Sequence, residues 1–275
     1  MTPQPHDPSR PLAVSVLGAG TIGSAVAGAI ERGSVPGAAL TAVLRSSSTD
    51  AEIAAAIEAS DVMVEATSVE AAEALIPRIS SAGTDVVVCS CGVFATRARP
   101  HELIPGPGRV LVPAGAIGGL DVLSAAARAG TDGARLHHRT IKSPAALEVA
   151  EPVTGPVEVF RGTAREAALA FPRTSNASVA LALATLGLDR VEVTVVADPQ
   201  VERTRHVVEW RSALGHYEMT FENSVEPDSG GRTSAVTAWS VAEVLAGLRA
   251  GAGPGVVVLG GGVDGGAGPG GAGRR

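Results

Sequence analysis

The sequence predicts an α/β fold: a Rossmann-type, doubly wound parallel sheet, followed by a second α/β domain with a mixed, largely antiparallel sheet. Three observations carry that expectation. An apolar run over residues 12–17 feeds directly into Gly18-x-Gly20-x-x-Gly23, the strand–turn–helix order of a dinucleotide-binding unit. Short continuous apolar runs then alternate with helical patterns to about residue 115, as expected of parallel strands covered on both faces. Beyond residue 203, two runs alternate apolar and polar side chains, the pattern of an antiparallel hairpin with one wet face.

The elements are read in order. Residues 12–17 form the first strand and 21–32 the first helix, which stops at Gly33. Strands follow at 40–44, 61–66, 85–90 and 109–112, with helices at 51–59 and 68–81 between them. In the second of these helices Ser68 is the N-cap, and Ala71, Leu75 and Ile79 share a face. A helix over 118–130 opens the second domain, with strands at 134–141 and 157–161. Thr163-x-x-Glu166 is a capping box, opening a helix that ends near Phe171-Pro172. A helix over 179–186 stops at Gly187. The strand at 191–197 ends on Asp198-Pro199, and the hairpin turns through Ala213-Leu214-Gly215. Ala238, Val241, Ala242, Leu245 and Leu248 fall at helical spacing, and this helix is expected to return to the first domain. Residues 255–259 are a candidate edge strand.

These readings divide the chain into a loose leader (1–11), a dinucleotide-binding domain (12–115 with 233–259), a substrate and dimerisation domain (116–232) and a disordered Gly-rich tail (260–275). Gly260-Gly261-Gly262 follows no helix, so it is not read as a second phosphate loop. The 275 residues carry a net charge of -6 and are 45% hydrophobic. No basic stripe offers itself to a nucleic acid. No apolar run reaches the ~18 residues of a membrane span, and no secretory signal is apparent, so a cytoplasmic location is expected. Cys89 and Cys91 lie two apart with no nearby His pair. They read as small buried thiols, and no metal site is expected.

The glycine motif has a physical reading. Gly18 permits the turn, Gly20 lets the backbone approach a pyrophosphate, and Gly23 lets helix and strand pack closely. Thr21 and Ile22 open the helix whose positive dipole end faces the phosphates. Enzymes that use NAD commonly place a carboxylate at the end of the second strand, on the ribose hydroxyls. Here that place reads Leu44-Arg45-Ser46-Ser47. Arg45 suits a 2′-phosphate and Ser46 suits a hydrogen bond to it, so NADP is expected to be accepted at least as well as NAD.

Three later segments are distinctive: Pro113-Ala114-Gly115-Ala116-Ile117-Gly118-Gly119-Leu120-Asp121; Phe171-Pro172-Arg173-Thr174-Ser175-Asn176 with Gly187-Leu188-Asp189; and Ala197-Asp198-Pro199 with His206 eight residues beyond the Asp. With the glycine motif and Glu65-Ala66, their order and spacing resemble the L-aspartate dehydrogenase family over most of residues 12–250. The resemblance implies reversible NAD- or NADP-dependent oxidation of L-aspartate, through iminoaspartate, to oxaloacetate and ammonia. It also implies a homodimer, and a product able to feed NAD biosynthesis. It assigns cofactor contacts to Ala66, Ala116 and Asn176, and the acid/base role to His206. The chain departs from the family at Ala114 (usually Ser), at Thr204 (usually Asn) and at Gly230-Gly231-Arg232-Thr233-Ser234 (usually Asn-Pro-x-Thr-Ser).

Oxidising an α-amino acid needs a group that moves protons near neutral pH, which suits His206. It is placed at a cleft rim at the start of a strand. Of the other histidines, His137 and His138 are adjacent in a strand and face opposite ways, so they do not grip one small ligand together. Lys142, the single lysine, is a candidate for a substrate carboxylate, with a solvated surface lysine as the alternative. Thr233-Ser234 either helps bind substrate or simply caps the last long helix. Two other functions stay open at this level: a dehydrogenase or reductase of another amino or keto dicarboxylate, and a non-catalytic NAD(P)-binding sensor.

Overall fold

The computed structural model describes residues 10–149, 152–226, 229–250 and 257–259. The expected tail, and all but the end of the expected leader, lie outside them.

Strands β1 (Leu12–Leu17), β2 (Ala38–Leu44), β3 (Val62–Glu65), β4 (Asp85–Val88) and β5 (Val110–Val112) pair in parallel, in the order β5-β4-β3-β1-β2. A last strand, β11 (Val257–Leu259), joins β5 antiparallel, so the edge strand read from sequence closes the sheet. Helix α1 (Thr21–Glu31) links β1 to β2, α2 (Asp50–Glu58) links β2 to β3, and α3 (Val69–Ala82) links β3 to β4. Thr49 and Glu52 form a reciprocal capping box on α2, and the Ser68 hydroxyl caps α3. The buried face of α3 is Ala72, Ile76, Ile79 and Ser80; Ala71 and Leu75, expected there, are only half-buried. The apolar stripe is rotated by one residue because Ala72 and Ile76 repeat at the same i, i+4 spacing.

Helix α4 (Leu120–Ala129) leads to the second sheet. Its strands are β6 (Arg135–Lys142), β7 (Val157–Thr163), β8 (Val191–Ala197), β9 (Thr204–Ser212) and β10 (Gly215–Asn223), in the order β10-β9-β6-β8-β7. Only β6–β8 is parallel; β9 and β10 form the expected hairpin. Thr163 and Glu166 make the expected capping box on α5 (Ala164–Ala170). Helix α6 (Asn176–Ala184) starts three residues earlier than expected, directly after Ser175.

Two packed layers hold this together. Helix α7 (Val236–Ala250) lies against α1 and the first sheet; Val241 and Leu245 meet Val14, Val16, Val26 and Ile30 there. A second core runs unbroken from the other face of that sheet (Met63, Ile76, Phe94) through α6 (Leu181) to the second sheet (Val193, Val208, Trp210). At roughly 25 cal/mol per Å² of apolar surface buried, this continuous layer makes the relative placement of the two sheets costly to change. It therefore fixes the geometry of whatever lies between them.

Candidate active site

The sheet order reverses between β1 and β3, and in open α/β sheets ligands bind at the carboxyl ends of the strands beside such a switch point. The glycine turn sits there. Gly18 has φ +100°, and a Cβ on it would lie 2.3 Å from the Ala66 carbonyl oxygen. A Cβ on Gly23 would lie 1.9 Å from the Gly18 carbonyl oxygen. Gly20, by contrast, faces open space, and no side chain caps α1. The turn is therefore closed where strand and helix meet and open where Thr21 and Ile22 begin the helix. A diphosphate fits that arrangement: bare backbone amides and a positive dipole end face an unfilled cradle.

The Gly18 amide donates to the Leu44 carbonyl at 2.9 Å, which brings the end of β2 beside the turn. Arg45 and Ser46 follow at once and are exposed. Arg45 begins a tight turn, its amide donating to Ser48 Oγ at 3.1 Å. Neither residue reaches the main cleft.

That cleft lies between the two sheets. Ile22, Ala116, Lys142, Asn176, His206, Thr233 and Ser234, drawn from widely separated segments, all line it. The loop after β5 is pinned from two sides. Gly115 N–H donates to Ser240 Oγ on α7 (3.1 Å), and Asn223 Nδ2 donates to the Ala116 carbonyl (2.7 Å). Gly119 has φ +74°, and a Cβ there would lie 2.3 Å from Met219 Sδ, which explains a glycine in that run. Asn176 Oδ1 accepts from the Gly92 amide at 3.0 Å, so α6 is tied to the turn after β4. That turn carries Cys89 and Cys91, both free, buried and lining the cleft. Burial and the nearby Glu65 carboxylate push both thiols well up, so they are not nucleophiles. Glu65 is itself fully buried and accepts from the amides and hydroxyls of Thr67 and Ser90 at 2.7–3.0 Å.

His206 corrects the expectation of a rim position. It is 2% exposed, on the inward side of β9, because β9 is a central strand flanked by β10 and β6. Nor does it act alone. His138 points inward from β6, and its Nε2 lies 3.1 Å from His206 Nδ1. His137 does face the other way, toward Thr194. Sequence reasoning missed His138 because the pairing of β6 with β9 brings residues 68 apart into contact. Inward alternation on two adjacent strands was the signal available.

Lys142 is also buried, at 3% exposed, which removes the surface-lysine alternative. Its Nζ donates to the Arg232 carbonyl at 2.9 Å. Burial, with Arg232 adding to it, lowers its pKa from 10.5 to about 8. Thr233 and Ser234 line the cleft, and neither makes a side-chain cap bond to α7 among the described residues; Thr237 N–H bonds instead to the Ser234 carbonyl. Arg173, Thr174 and Arg232 were not singled out as site residues, yet they complete the wall. Of the departing positions, Ala114 lines the cleft, and Thr204 lies buried two residues before His206, on the same side of β9.

Burial drives the His138 pKa from 6.5 down to about 3 and His206 well below its usual value, with His138 and Lys142 adding to the latter. Both rings are neutral in the folded chain. Below about pH 6.5 the unfolded chain binds protons that the folded chain refuses, so stability falls as pH falls. We expect a loss of roughly 1.4 kcal/mol per pH unit for each imidazole between pH 6 and pH 4. Urea unfolding across that range checks it; an unchanged midpoint would contradict it.

Residues 18–105 match the family model for the homoserine dehydrogenase NAD-binding domain, and residues 121–248 match that for the aspartate dehydrogenase C-terminal domain. The L-aspartate dehydrogenase of Methanopyrus kandleri is 34% identical over 259 residues, covering 86% of this chain and 95% of that one. L-aspartate dehydrogenase 2 of Bordetella pertussis is 37% identical over 202 residues, covering 69% and 73%. The crystal structure of aspartate dehydrogenase from Thermotoga maritima superposes with a TM-score of 0.65 at 28% identity, covering 85% of this chain and 95% of that one. The class is thus a Rossmann-fold, NAD(P)-dependent amino acid dehydrogenase. Within it, this chain belongs to the L-aspartate dehydrogenase family.

Proposed function

We propose that this chain oxidises L-aspartate to iminoaspartate, which is hydrolysed to oxaloacetate and ammonia, and that it also runs in reverse. One observation supports the substrate class above the others. Among the described residues, the cleft that holds His206 is lined by Lys142, Arg173 and Arg232 and by no Asp or Glu. Arg173 lies 3.7 Å from Glu148, while Lys142 bonds only to a neutral carbonyl; this positive lining suits a substrate bearing two carboxylates.

Gly18 and Gly23 shape the turn, Gly20, Thr21 and Ile22 face the dinucleotide's diphosphate, and Ala66, Ala116 and Asn176 line the path to the reacting ring. When bound, the nicotinamide supplies the hydride acceptor for the substrate Cα. Lys142 holds one carboxylate, with Thr233 and Ser234 beside it. His206 takes a proton from the water that adds to the C=N bond. It returns that proton to nitrogen, and as ammonia leaves, the carbinolamine hydroxyl becomes the carbonyl by releasing its own proton to solvent. Formation of NAD(P)H on mixing the full chain with L-aspartate tests the reading. Turnover of another amino or keto dicarboxylate in its place would favour the alternative that Ala114, in the cleft wall, raises. Binding of nucleotide with no turnover of any of these would favour a sensor.

NADP is proposed as at least as good a cofactor as NAD. Arg45 is exposed beside the glycine turn, and no carboxylate ends β2. The Arg45→Ala variant is expected to lower kcat/KM for NADP roughly 10-fold, the worth of one charge-assisted hydrogen bond, and to leave NAD nearly unchanged. Equal losses for both cofactors would remove the assignment. A homodimer, implied by the family resemblance, belongs to the same proposal, with the cytoplasmic location expected from the sequence; light scattering of the full chain reads its mass. No helix among the described residues is long and apolar enough to cross a membrane.

A further inference from the structure

Behind His206 lies a buried polar cluster that the reaction scheme above does not use. His138 is 0% exposed, Ser178 1% and Thr140 4%. His138 Nδ1 lies 2.9 Å from Ser178 Oγ, and its Nε2 lies 3.1 Å from His206 Nδ1. Thr140 Oγ1 sits 3.2 Å from His206 Nδ1 and 3.4 Å from His138 Nε2. The rings are stacked at 27°, with centroids 5.2 Å apart. Three elements contribute: β6, β9 and α6. His206 Nδ1 is thus committed to the protein interior, and its Nε2 is the nitrogen left for the cleft.

A nitrogen–nitrogen hydrogen bond between neutral imidazoles has one proton, so the two tautomers are coupled. In the first arrangement His138 carries its proton on Nδ1 and donates to Ser178. His206 then donates from Nδ1 to His138 Nε2, and its own Nε2 is a bare base. In the second, Ser178 donates to His138 Nδ1, His138 donates from Nε2 to His206 Nδ1, and His206 Nε2 already carries a hydrogen. Only the first lets His206 gain a proton at the cleft with no rearrangement. The imidazolium keeps its Nδ1–H on His138, which stays a neutral acceptor. In the second, a proton would have to enter at the buried Nδ1.

We infer that His138, backed by Ser178 and Thr140, is a positioning residue that holds His206 in the Nδ1–H tautomer and presents a bare Nε2 to the substrate. The inference rests on His206 being the acid/base group. Other groups face His206 as well: Lys142 on its own sheet, Arg232 and Arg173 across the cleft, and the thiols Cys89 and Cys91. The cations oppose a charge on the ring, but none of them reaches its Nδ1 in a hydrogen bond among the described residues. They do not choose its tautomer.

The test is ¹⁵N–¹H correlation of imidazole nitrogens in the full chain labelled with ¹⁵N-histidine, with His206→Gln to assign the resonance. The wild-type chain is expected to show His206 as the Nδ1–H tautomer at pH 7. His138→Gln puts an amide oxygen near the lost Nε2 and is expected to keep both that tautomer and kcat within a few-fold. The double variant His138→Leu/Thr140→Val removes both acceptors. It is expected to move His206 to the Nε2–H tautomer and to lower kcat roughly 10- to 100-fold, with KM for L-aspartate little changed. A wild-type His206 in the Nε2–H form overturns the inference. So does a double variant that keeps both tautomer and kcat. If the double variant fails to fold, the wild-type and His138→Gln spectra still decide. The spectra need no turnover, so a chain inactive on L-aspartate would defeat the proposed function and leave this readout standing.

Discussion

The His206→Ala variant is expected to lower kcat for L-aspartate oxidation by roughly 10²- to 10⁴-fold, the usual contribution of a positioned acid/base group. Binding of NADP or NAD should hold within a few-fold, because the glycine turn lies on β1 and α1, and His206 lies on β9. Elimination within the cleft leaves His206 as the proton carrier. Its other titratable side chains are Lys142, Arg173, Arg232, Cys89 and Cys91. The guanidiniums do not release protons in this range. Burial keeps the thiols protonated, and Lys142 is committed as a cation below about pH 8. The neutral imidazole is left as the group able to take a proton from water and return it. Steady-state rates at saturating cofactor, with nucleotide affinity measured separately by fluorescence, check the split. A variant that retains kcat would show that water addition proceeds without the imidazole, and His206 would lose its role.

The distribution of what the sequence made legible has a physical cause. Local signals served well at the Gly18–Gly23 turn and at the caps on Ser68 and Thr163, which depend on residues close in sequence; α6 instead ends at Ala184, short of the stop expected at Gly187. The face of α3 was misjudged by one position because Ala71 and Ala72, like Leu75 and Ile76, are equally apolar; only packing on the first sheet separates them. The cleft was legible in pieces. Lys142, Asn176, His206 and the Thr233-Ser234 pair come from four places in the chain, and the fold brings them to one cleft. His138 was illegible as His206's partner, because the register between strands far apart in sequence, though neighbours in the sheet, is set by the whole fold. The burial of Lys142 was equally hidden. Its strand ends beside Ser143-Pro144, which reads as a surface turn until the Gly230–Ser234 segment is laid over it through the Arg232 carbonyl.

That burial supports the second large effect. The Lys142→Met variant, similar in length but without charge, is expected to raise KM for L-aspartate roughly 10- to 100-fold and to change kcat less. A hydrogen bond to a charged group contributes about 1.5–3 kcal/mol, and Lys142 has two donors left after its bond to Arg232. The pH dependence gives a sharper reading. A dicarboxylate with no amine, such as succinate, does not titrate between pH 7 and pH 9.5, so any change in its affinity belongs to the protein. With the free-chain pKa at about 8, Lys142 is a cation below that value and loses its charge above it. The bound anion favours the charged form and raises the pKa in the complex, so affinity is highest below pH 8. It should fall toward 10-fold per pH unit above, until the raised value is passed. Competitive inhibition constants for succinate, measured across this range in both proteins, test the two expectations together. A flat profile in the wild-type chain, or one equally steep in Lys142→Met, would assign the carboxylate to Arg173 or Arg232, whose charge does not change over this interval.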